Sequence, residues 1–290
     1  MTNMERMLPL HEGKMGNQFD SRSSEFTGIG DYDLVEADHS MPDNAPLPRY
    51  WIESDTVFAR LGRRQFKCTT ALLGHRRVAR STDERTSIAA ILPWGAVSYG
   101  WIVSSGPTPT ELLQLCAMYN SFVFDYCLRN SLSQPSIPQG TSEQIPAISP
   151  EGMRNCCTWD STIDVGSWVN MRVIELVFTT SLLAGFAGEF GDCGSPFRWD
   201  PARRMLLRAE LDAAFFHLYG VSRKDVDYIL DTFPIVKRKD EAKFGEYRTK
   251  QLILDVYDRM AEATVIGEPY RTILDPPAGH GPRHPTEVTT

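Results

Sequence analysis

The chain has 290 residues, of which 42% are hydrophobic and 23% are charged, and its net charge is −7 at pH 7. This composition is typical of a globular protein and excludes a chain that is disordered throughout. No stretch comes near the roughly 18 to 20 uninterrupted apolar residues that a membrane helix needs. The negative charge argues against a protein that coats nucleic acid over its whole surface, although an uneven charge distribution allows a local basic face.

The N-terminal segment and the cysteines indicate the compartment. Residues 1–16 have charges but no apolar run after them, so no secretory signal is expected and the prediction is a cytoplasmic protein with no membrane partner. The six cysteines form no Cys-x-x-Cys pair, and only Cys156 and Cys157 are adjacent. Neighbouring cysteines rarely bridge or bind a metal together, so we expect reduced thiols and no zinc site.

Local signals in the first two thirds of the chain predict a mixture of elements. Residues 31–51 are acidic and proline-rich and favour a loop, and residues 133–152, with four prolines and two glycines, favour one as well. The remaining signals predict a helix from Ser54, as its cap, to Gly62, a buried strand that Pro93 ends, and helices over about 111–129 and about 169–183.

The last third of the chain is predicted to be helical. Asp200 followed by Pro201 is a typical helix start, and Gly220 is a typical stop. The apolar stripe between them consists of Leu207, Leu211, Ala214, Phe215 and Leu218. A further helix is expected from Ser222 to just before Pro234, and another over about 246–262. The basic segment 237–250 is predicted to begin as a charged loop before the last of these helices.

These elements predict an α+β protein in two parts. Residues 1–150 would form a mixed α/β domain and residues 151–265 a helical domain, while residues 266–290 would be a disordered tail.

Two short motifs look like pieces of a methyltransferase site. "FTGIG" (26–30) resembles a methyl-donor loop, but the residues before it are polar and cannot form the buried strand that such a loop follows. "DPPA" (275–278) lacks the aromatic side chain that stacks on a flipped adenine, since Ala278 stands there. Neither motif predicts a catalytic site, and no catalytic residue is assigned.

A second catalytic reading is a metal-dependent nuclease. Asp231 or Asp240 with Glu241 and Lys243 has the Asp…Glu-x-Lys spacing of such enzymes. That chemistry needs two adjacent strands that converge on magnesium. The segment is instead predicted to be a charged surface, so the nuclease stays an alternative and no metal ligand is assigned.

The basic residues of the first domain are concentrated between residues 60 and 85. Arginine suits phosphate contacts and bidentate contacts to guanine, so this cluster predicts DNA binding. The alternative is that Arg85 pairs with Asp83 or Glu84 inside the fold and that several of the others are solvated. The cluster comprises Arg63, Arg64, Lys67, Arg76, Arg77, Arg80 and Arg85.

Longer segments resemble one family, the C-terminal part of large bacterial adenine-specific DNA methyltransferases, many of them type IIG restriction–modification or phage-defence enzymes. The text that carries the resemblance is "LPLHEGKMGNQFDSR" (8–22), "RYWI" (49–52), "GHRRVARSTDERTSIAAILP" (74–93), "NSFVFDYCLR" (120–129), "QIPAISPE" (144–151) and residues 197–260, which include "DTFPIVKRKDEAKFGEYRTK". The resemblance covers nearly the whole chain apart from its tail.

The resemblance implies a target-recognition region and a helical segment without the catalytic domain. S-adenosylmethionine would then bind the missing domain, and this chain would hold no cofactor of its own. The expected partners are double-stranded DNA and a methyltransferase catalytic domain or subunit. By the resemblance, Lys14, Gln18 and Arg22 form a further cluster near the recognised DNA.

The charged segment of the C-terminal part adds Lys237, Arg238, Lys239 and Arg248 as candidate contacts to the DNA backbone. These residues can equally dock the missing catalytic domain. The expected function is therefore DNA target recognition for an adenine-specific methyltransferase or restriction–modification enzyme. An alternative from a different functional class is a protein–protein docking module that binds no DNA.

Overall fold

The computed structural model describes residues 6–62 and 66–285. Its strands are β1 (Met7–His11), β2 (Ser24–Phe26), β3 (Leu34–Glu36), β4 (Trp51–Glu53), β5 (Ala71–Arg76), β6 (Ala89–Pro93), β7 (Ala96–Val97), β8 (Trp101–Ser104), β9 (Cys156–Cys157) and β10 (Asp160–Asp164). They pair in small sheets with the orders β4-β1-β7, β2-β3, β6-β5-β8 and β10-β9.

The α-helices carry most of the remaining ordered chain. They are α1 (Ser54–Gly62), α2 (Pro109–Asn120), α3 (Phe122–Ser131), α4 (Gln139–Ser142), α5 (Pro150–Arg154), α6 (Val165–Val177), α7 (Ala184–Gly188), α8 (Pro201–Leu218), α9 (Arg223–Asp231), α10 (Pro234–Phe244) and α11 (Arg248–Ile266). Small mixed sheets followed by a helical region confirm the predicted α+β class.

The sheet β6-β5-β8 is the buried sheet of the N-terminal half. Its middle strand β5 is antiparallel to both neighbours and is buried from Ala71 to His75. Gly74 allows Trp101 to lie flat on this strand, since a Cβ there would come within 2.9 Å of the indole ring. At the outer edge of β6, the Asn120 amide of α2 accepts from the Ala89 N–H and donates to the Ala89 carbonyl, both at 2.9 Å.

The helix predicted over 111–129 is divided into α2 and α3 at Ser121. The Ser121 hydroxyl accepts from the Phe124 N–H at 3.3 Å, and the Asp212 carboxylate accepts from the Phe122 N–H at 2.8 Å. Both N–H groups thereby find side-chain acceptors at the start of α3. Because Asp212 lies on α8, local sequence does not reveal this break.

The charged loop predicted to begin at residue 237 is wrong, because residues 237–244 continue α10. Pro234 occupies the first turn of this helix and Gly245, at φ 77°, ends it. Residues 248–250 then begin α11. Proline in the first turn and a left-handed glycine after the last are favourable helix ends, which offset the weak apolar pattern of the segment.

Helix α8 is the central helix of the C-terminal half. The Asp200 carboxylate accepts from the N–H groups of Ala202 and Arg203, and Pro201 is the first helical residue, as predicted. Leu207 and Phe215 of the predicted stripe are buried. The helix packs against α3, α6 and α11, so most of its circumference is covered.

The predicted boundary near residue 150 does not separate two cores. One continuous cluster of buried apolar side chains runs from Phe19 through Leu113 and Val169 to Ile253 and Ala278. The helices α2 and α3, which lie before that boundary, pack directly on α6 and α8. Residues 1–150 therefore do not fold around a separate core, although a small second cluster lies on the Trp101 face of β5.

The prediction of a disordered tail is wrong for residues 267–285. Glu210 of α8, fully buried, accepts hydrogen bonds from the Tyr270 hydroxyl at 3.0 Å, the Thr272 hydroxyl at 2.5 Å and the Ile273 N–H at 3.0 Å. Leu274 is buried as well. The polar composition of the tail suggested disorder, but its polar groups have partners in the helical half. Residues 286–290 lie outside the described residues.

The packing of the tail predicts that Tyr270→Phe destabilises the protein. Loss of a buried hydrogen bond to a carboxylate costs about 1.5 to 3 kcal/mol. Urea unfolding of both proteins measures the difference. The matched control is Tyr228→Phe, because the Tyr228 side chain is exposed and should tolerate the change within about 0.5 kcal/mol. Equal stability of the two variants would contradict a packed tail.

Candidate functional site

A large concave region lies beside α8. Two adjoining cavities of about 710 and 540 Å³ share Glu84, Arg85, Trp199, Arg204 and Arg208 in their walls. We refer to them together as the α8 groove. α8 forms one wall of the larger cavity, and α10 with the start of α11 forms another.

The larger cavity contains more basic than acidic side chains. The basic ones are Arg85, Arg204, Arg208, Lys239, Lys243 and Arg248, and the acidic ones are Glu84, Asp200, Asp212 and Asp240. The smaller cavity is balanced, because Asp20, Glu36, Asp83 and Glu84 stand against Arg76, Arg85, Arg204 and Arg208. The excess positive charge is therefore local to the larger cavity.

Arg85 is held at the inner end of the groove by a buried network. Its Nε donates to the Asp125 carboxylate at 2.8 Å, its Nη2 to the Asn120 carbonyl at 2.6 Å, and its Nη1 to Gln18 Oε1 at 3.2 Å. The expected pairing of Arg85 with Asp83 or Glu84 is therefore wrong, since the partner is Asp125. This guanidinium can direct only its remaining donors at a ligand.

The Gln18 amide joins Arg85 to α8. Its Oε1 also accepts from Arg208 Nη2 at 2.6 Å, while its own Nε2 donates to the carbonyls of Ser87 and Asn120 at 3.0 and 3.2 Å. One amide oxygen thus serves two guanidinium groups. The arrangement brings the positive charges of Arg85 and Arg208 close together.

Arg204 lies one turn before Arg208 on α8. Its guanidinium donates to the carbonyls of Leu176, at 2.5 Å, and Phe19, at 3.2 Å, and lies 3.6 Å from the centre of the Trp199 ring. Burial lowers the pKa of Arg204 to about 9; the charge of Asp20 opposes this shift and the charge of Arg208 adds to it. Arg204 is therefore a buried cation without a carboxylate hydrogen bond among the described residues.

His39 is a second neighbour that fixes the position of Trp199. The His39 ring lies 3.8 Å from it, centre to centre, and His39 Nε2 is 3.1 Å from the Asp20 carboxylate. The contacts with Arg204 and His39 both occupy the indole ring of Trp199. Trp199 therefore orients Arg204 and does not offer a free face to a base.

Asp212 is a buried acid in the wall of the larger cavity. Burial raises its pKa to about 6, although the charge of Arg85 and the Phe122 N–H act in the opposite direction. Asp212 is 5% exposed, which is consistent with a desolvated carboxylate. The negative charge of this wall thus decreases as the pH falls through about 6.

The outer rim of the groove is formed by α10 and α11. Lys239 pairs with Glu84 across the groove, and both side chains are solvent-accessible. The Lys243 ammonium and the Arg248 guanidinium lie 5.2 and 5.0 Å from the centre of the Phe244 ring. Lys243 and Arg248 are exposed, so they can reach a ligand without unfolding any part of the helix pair.

The structure brings part of the predicted DNA-binding set to the groove. Arg85, Lys239 and Arg248 line the larger cavity, and Gln18 and Arg76 line the smaller one. Gln18 is buried and already engaged, so its role is to orient the arginines. The Arg76 guanidinium donates to the carbonyls of Gly13, at 3.1 Å, and Gly16.

Arg22 does not fit its predicted role. It is 1% exposed, and its guanidinium donates to the carbonyls of Met41, Asn44 and Thr179. These contacts tie the N-terminal half to the segment after α6. DNA cannot reach this side chain, because the protein encloses it.

The other predicted contacts lie outside the cavities that form the groove. Arg77 stacks on the exposed Tyr99 ring at 4.1 Å, and Arg80 is exposed in the turn after β5. Four more of the predicted contacts are exposed but do not line the groove: Lys14, Lys67, Lys237 and Arg238. Arg63 and Arg64 lie outside the described residues.

Sequence reasoning missed Trp199, Arg204 and Arg208. A signal for two of them was present in "RWDPARRMLLR", where Arg204 and Arg208 are four residues apart on the predicted helix. Residues four apart share a helix face, and these two lie beside the predicted apolar stripe. Charged residues so close to a buried stripe indicate cations that are partly enclosed.

The nuclease reading has no geometric support in the described residues. Asp240, Glu241 and Lys243 lie on the helix α10, not on two converging strands, and the Asp240 carboxylate accepts from the Thr249 N–H at 2.6 Å. Within residues 6–62 and 66–285, no group of three or more histidine, cysteine or acidic side chains is placed to hold a metal ion. The six cysteines, all within that part, are free thiols.

Comparison of the chain with protein-family models, with curated proteins and with solved structures gave no match. A search of the helices in the described part found none that is long and apolar enough to cross a bilayer. The predicted family and compartment therefore stay predictions.

The raised pKa of Asp212 predicts a pH-dependent stability. An acid with a higher pKa in the folded than in the unfolded state contributes stability below its unfolded pKa, and this is lost as the pH rises through the folded value. Relative to Asp212→Asn, which keeps an acceptor for the Phe122 N–H, the wild type should lose about 2 kcal/mol between pH 4.5 and 7.5.

Urea unfolding of both proteins at the two pH values measures this loss. The control is Asp33→Asn, because Asp33 is exposed and its substitution should leave the pH profile of the wild type unchanged. Parallel profiles for the wild type and Asp212→Asn would show that the carboxylate is not desolvated.

Proposed function

We propose that the chain recognises DNA for an adenine-specific methyltransferase or a related restriction–modification enzyme, and that the α8 groove contacts the DNA backbone. The observation that carries the proposal is the larger cavity, in which basic side chains outnumber acidic ones on a chain of net charge −7. Phosphate contacts supply most of the sequence-independent affinity of DNA-binding proteins.

The acidic side chains of the larger cavity are largely engaged by the protein itself. Asp200 caps α8, Asp212 accepts from the Phe122 N–H, Asp240 accepts from the Thr249 N–H, and Glu84 pairs with Lys239. One oxygen of each carboxylate is thus engaged by the protein. The arginines and Lys243 keep free donors that can point at an anion.

The inner and outer basic residues would act differently. Arg85, Arg204 and Arg208 are held by protein contacts, so a phosphate would find their donors already oriented. Lys243 and Arg248 are exposed on the rim and would follow the backbone as mobile charges, whereas Lys239 is paired with Glu84. Such contacts set the position of DNA on the protein and do not by themselves read its sequence.

Sequence reading and catalysis are assigned to other groups. The exposed Arg80 and the partly exposed Arg77 would read base edges in the major groove. The partner catalytic domain would bind S-adenosylmethionine and extrude the adenine. These assignments rest on the resemblance to the methyltransferase family and on the exposure of Arg80.

A second candidate is protein docking, and a specific surface favours it. Ile29, Tyr32 and Val35, which lie before and on β3, are large apolar side chains that remain exposed. Clusters of exposed apolar side chains mark contact sites for other proteins. The catalytic domain is the partner that this surface would bind, and such docking is compatible with DNA binding in the groove.

The direct test is binding of the purified chain to random duplex DNA at about 50 and about 200 mM salt. With about four phosphate contacts, affinity should fall about a hundredfold over this range. The double variant Lys243→Ala/Arg248→Ala should reduce the log–log salt slope by about 2. The matched control is Lys237→Ala/Arg238→Ala, whose residues are exposed near the same rim but do not line the groove.

Either of two results would contradict the proposal. Absence of binding at about 50 mM salt would remove DNA recognition and leave the docking function. Equal losses in the two double variants would show that DNA binds to charge in general and not to the α8 groove.

A further inference from the structure

Arg208 stands out among the charged side chains of the α8 groove. Its guanidinium makes one hydrogen bond, from Nη2 to Gln18 Oε1 at 2.6 Å, and it takes part in no ion pair with the described residues. A guanidinium carries five N–H donors. Four of the donors of Arg208 therefore have no acceptor within the described part of the protein, and the side chain lines both cavities.

Arg204 adds a second positive charge one helical turn away. It is 9% exposed, and its contacts are the carbonyls of Leu176 and Phe19 and the ring of Trp199. Carbonyls and an aromatic ring orient the guanidinium but do not neutralise it. Its positive charge therefore remains available in the part of the groove that the two cavities share.

The three inner arginines repel one another. Burial is the main cause of the lowered pKa of both Arg204 and Arg208. The charge of Arg208 lowers the pKa of Arg204 further, and that of Arg85 lowers the pKa of Arg208, while the charges of Asp20 at Arg204 and of Asp212 at Arg208 act in the opposite direction. Arginine in water keeps its proton up to a pH well above 12. Only Arg85 has a carboxylate partner, Asp125. A bound anion would relieve this repulsion.

The frame around these arginines is rigid. Gln18 is fixed by the carbonyls of Ser87 and Asn120, and its Oε1 holds Arg85 and Arg208 at the same time. Little side-chain entropy remains to be lost when an anion binds to donors held in this way. Tetrahedral oxyanions suit such a place, because guanidinium groups contact them through paired N–H donors.

We infer that Arg204 and Arg208 form a binding site for a single phosphate group, with Arg85 behind them and Gln18 as the positioning residue. The inference deepens the proposed function, because the phosphate can be a phosphodiester of DNA that enters the groove. The cavities of about 710 and 540 Å³ also admit a free nucleotide. The shared chemistry is the phosphate ester, and the two sources are separated below.

Sulfate is the probe, because it has the shape of phosphate and does not titrate near neutral pH. Sulfate is added to the purified full chain at constant ionic strength, with chloride as the balancing anion. The thermal midpoint should rise and then saturate, as expected for binding to the folded state. The Nε–H resonances of Arg204 and Arg208 should shift in the same concentration range.

The test variant is Arg208→Gln and the matched control is Arg238→Gln, which makes the same change at an exposed position on α10 outside the groove. Arg208→Gln should weaken sulfate binding about tenfold or more, the loss of one charge-assisted hydrogen bond. Arg238→Gln should bind sulfate like the wild type. Arg208→Lys keeps the charge and should restore part of the affinity.

An equal rise of the thermal midpoint in all these proteins would overturn the inference, since it would reflect a general salt effect. If Arg208→Gln does not fold, the arginine resonances of the wild type decide: shifts at Arg204 and Arg208 support the site, and uniform or absent shifts overturn it. The test of the phosphate site therefore does not depend on whether Arg208→Gln folds.

Competition with DNA identifies the source of the phosphate and separates this site from the proposed function. Displacement of duplex DNA by sulfate at constant ionic strength, lost in Arg208→Gln, assigns the site to the DNA backbone. Sulfate binding without any DNA binding keeps the site, assigns it to a free phosphate ester and removes the proposed function. DNA binding that neither sulfate nor Arg208→Gln changes overturns the site and leaves the proposed function standing.

Discussion

The polar interior of the protein depends on the fully buried carboxylate of Asp125. It accepts from Arg85 at 2.8 Å, from Arg129 at 3.0 Å and from the Thr86 N–H at 3.0 Å. Removing one member of such a buried ion pair costs about 3 to 5 kcal/mol, because the other is left charged and desolvated. Since Arg85 also binds Gln18, which binds Arg208, the position of the groove arginines follows from this carboxylate on α3.

Two further buried acids join the end of the described chain to the helical half. Glu210 binds Arg172 at 2.7 Å and the segment around Tyr270, and Glu175 binds Arg203 and the Gly279 N–H. The interior is thus held together by carboxylates that each serve several donors. This pattern accounts for the single core, because the polar connections cross the chain at the same places as the apolar ones.

In the groove, structural and ligand-directed roles fall on the same arginines. Arg85 donates to Asp125 and to the Asn120 carbonyl, and Arg204 donates to the Leu176 carbonyl. The remaining donors of the two positively charged groups are the ones that would contact an anion. A chain of net charge −7 can in this way present a local positive field to phosphate. Under the proposed function, the acidic remainder of the surface would oppose unspecific attachment of DNA elsewhere.

Neighbouring residues were sufficient to predict the α+β class and the ends of α1, α8 and α9, because caps, prolines and apolar stripes act within one or two turns. They were not sufficient for the break at Ser121, which Asp212 supplies, or for the packed tail, which Glu210 holds. The same limit applies to the site. Arg22 and Arg208 look alike in sequence, but carbonyls as distant along the chain as Thr179 engage Arg22, whereas Arg208 keeps its donors for the groove. Which basic side chain is enclosed and which is available was decided by the tertiary structure alone, because the acceptors come from remote segments.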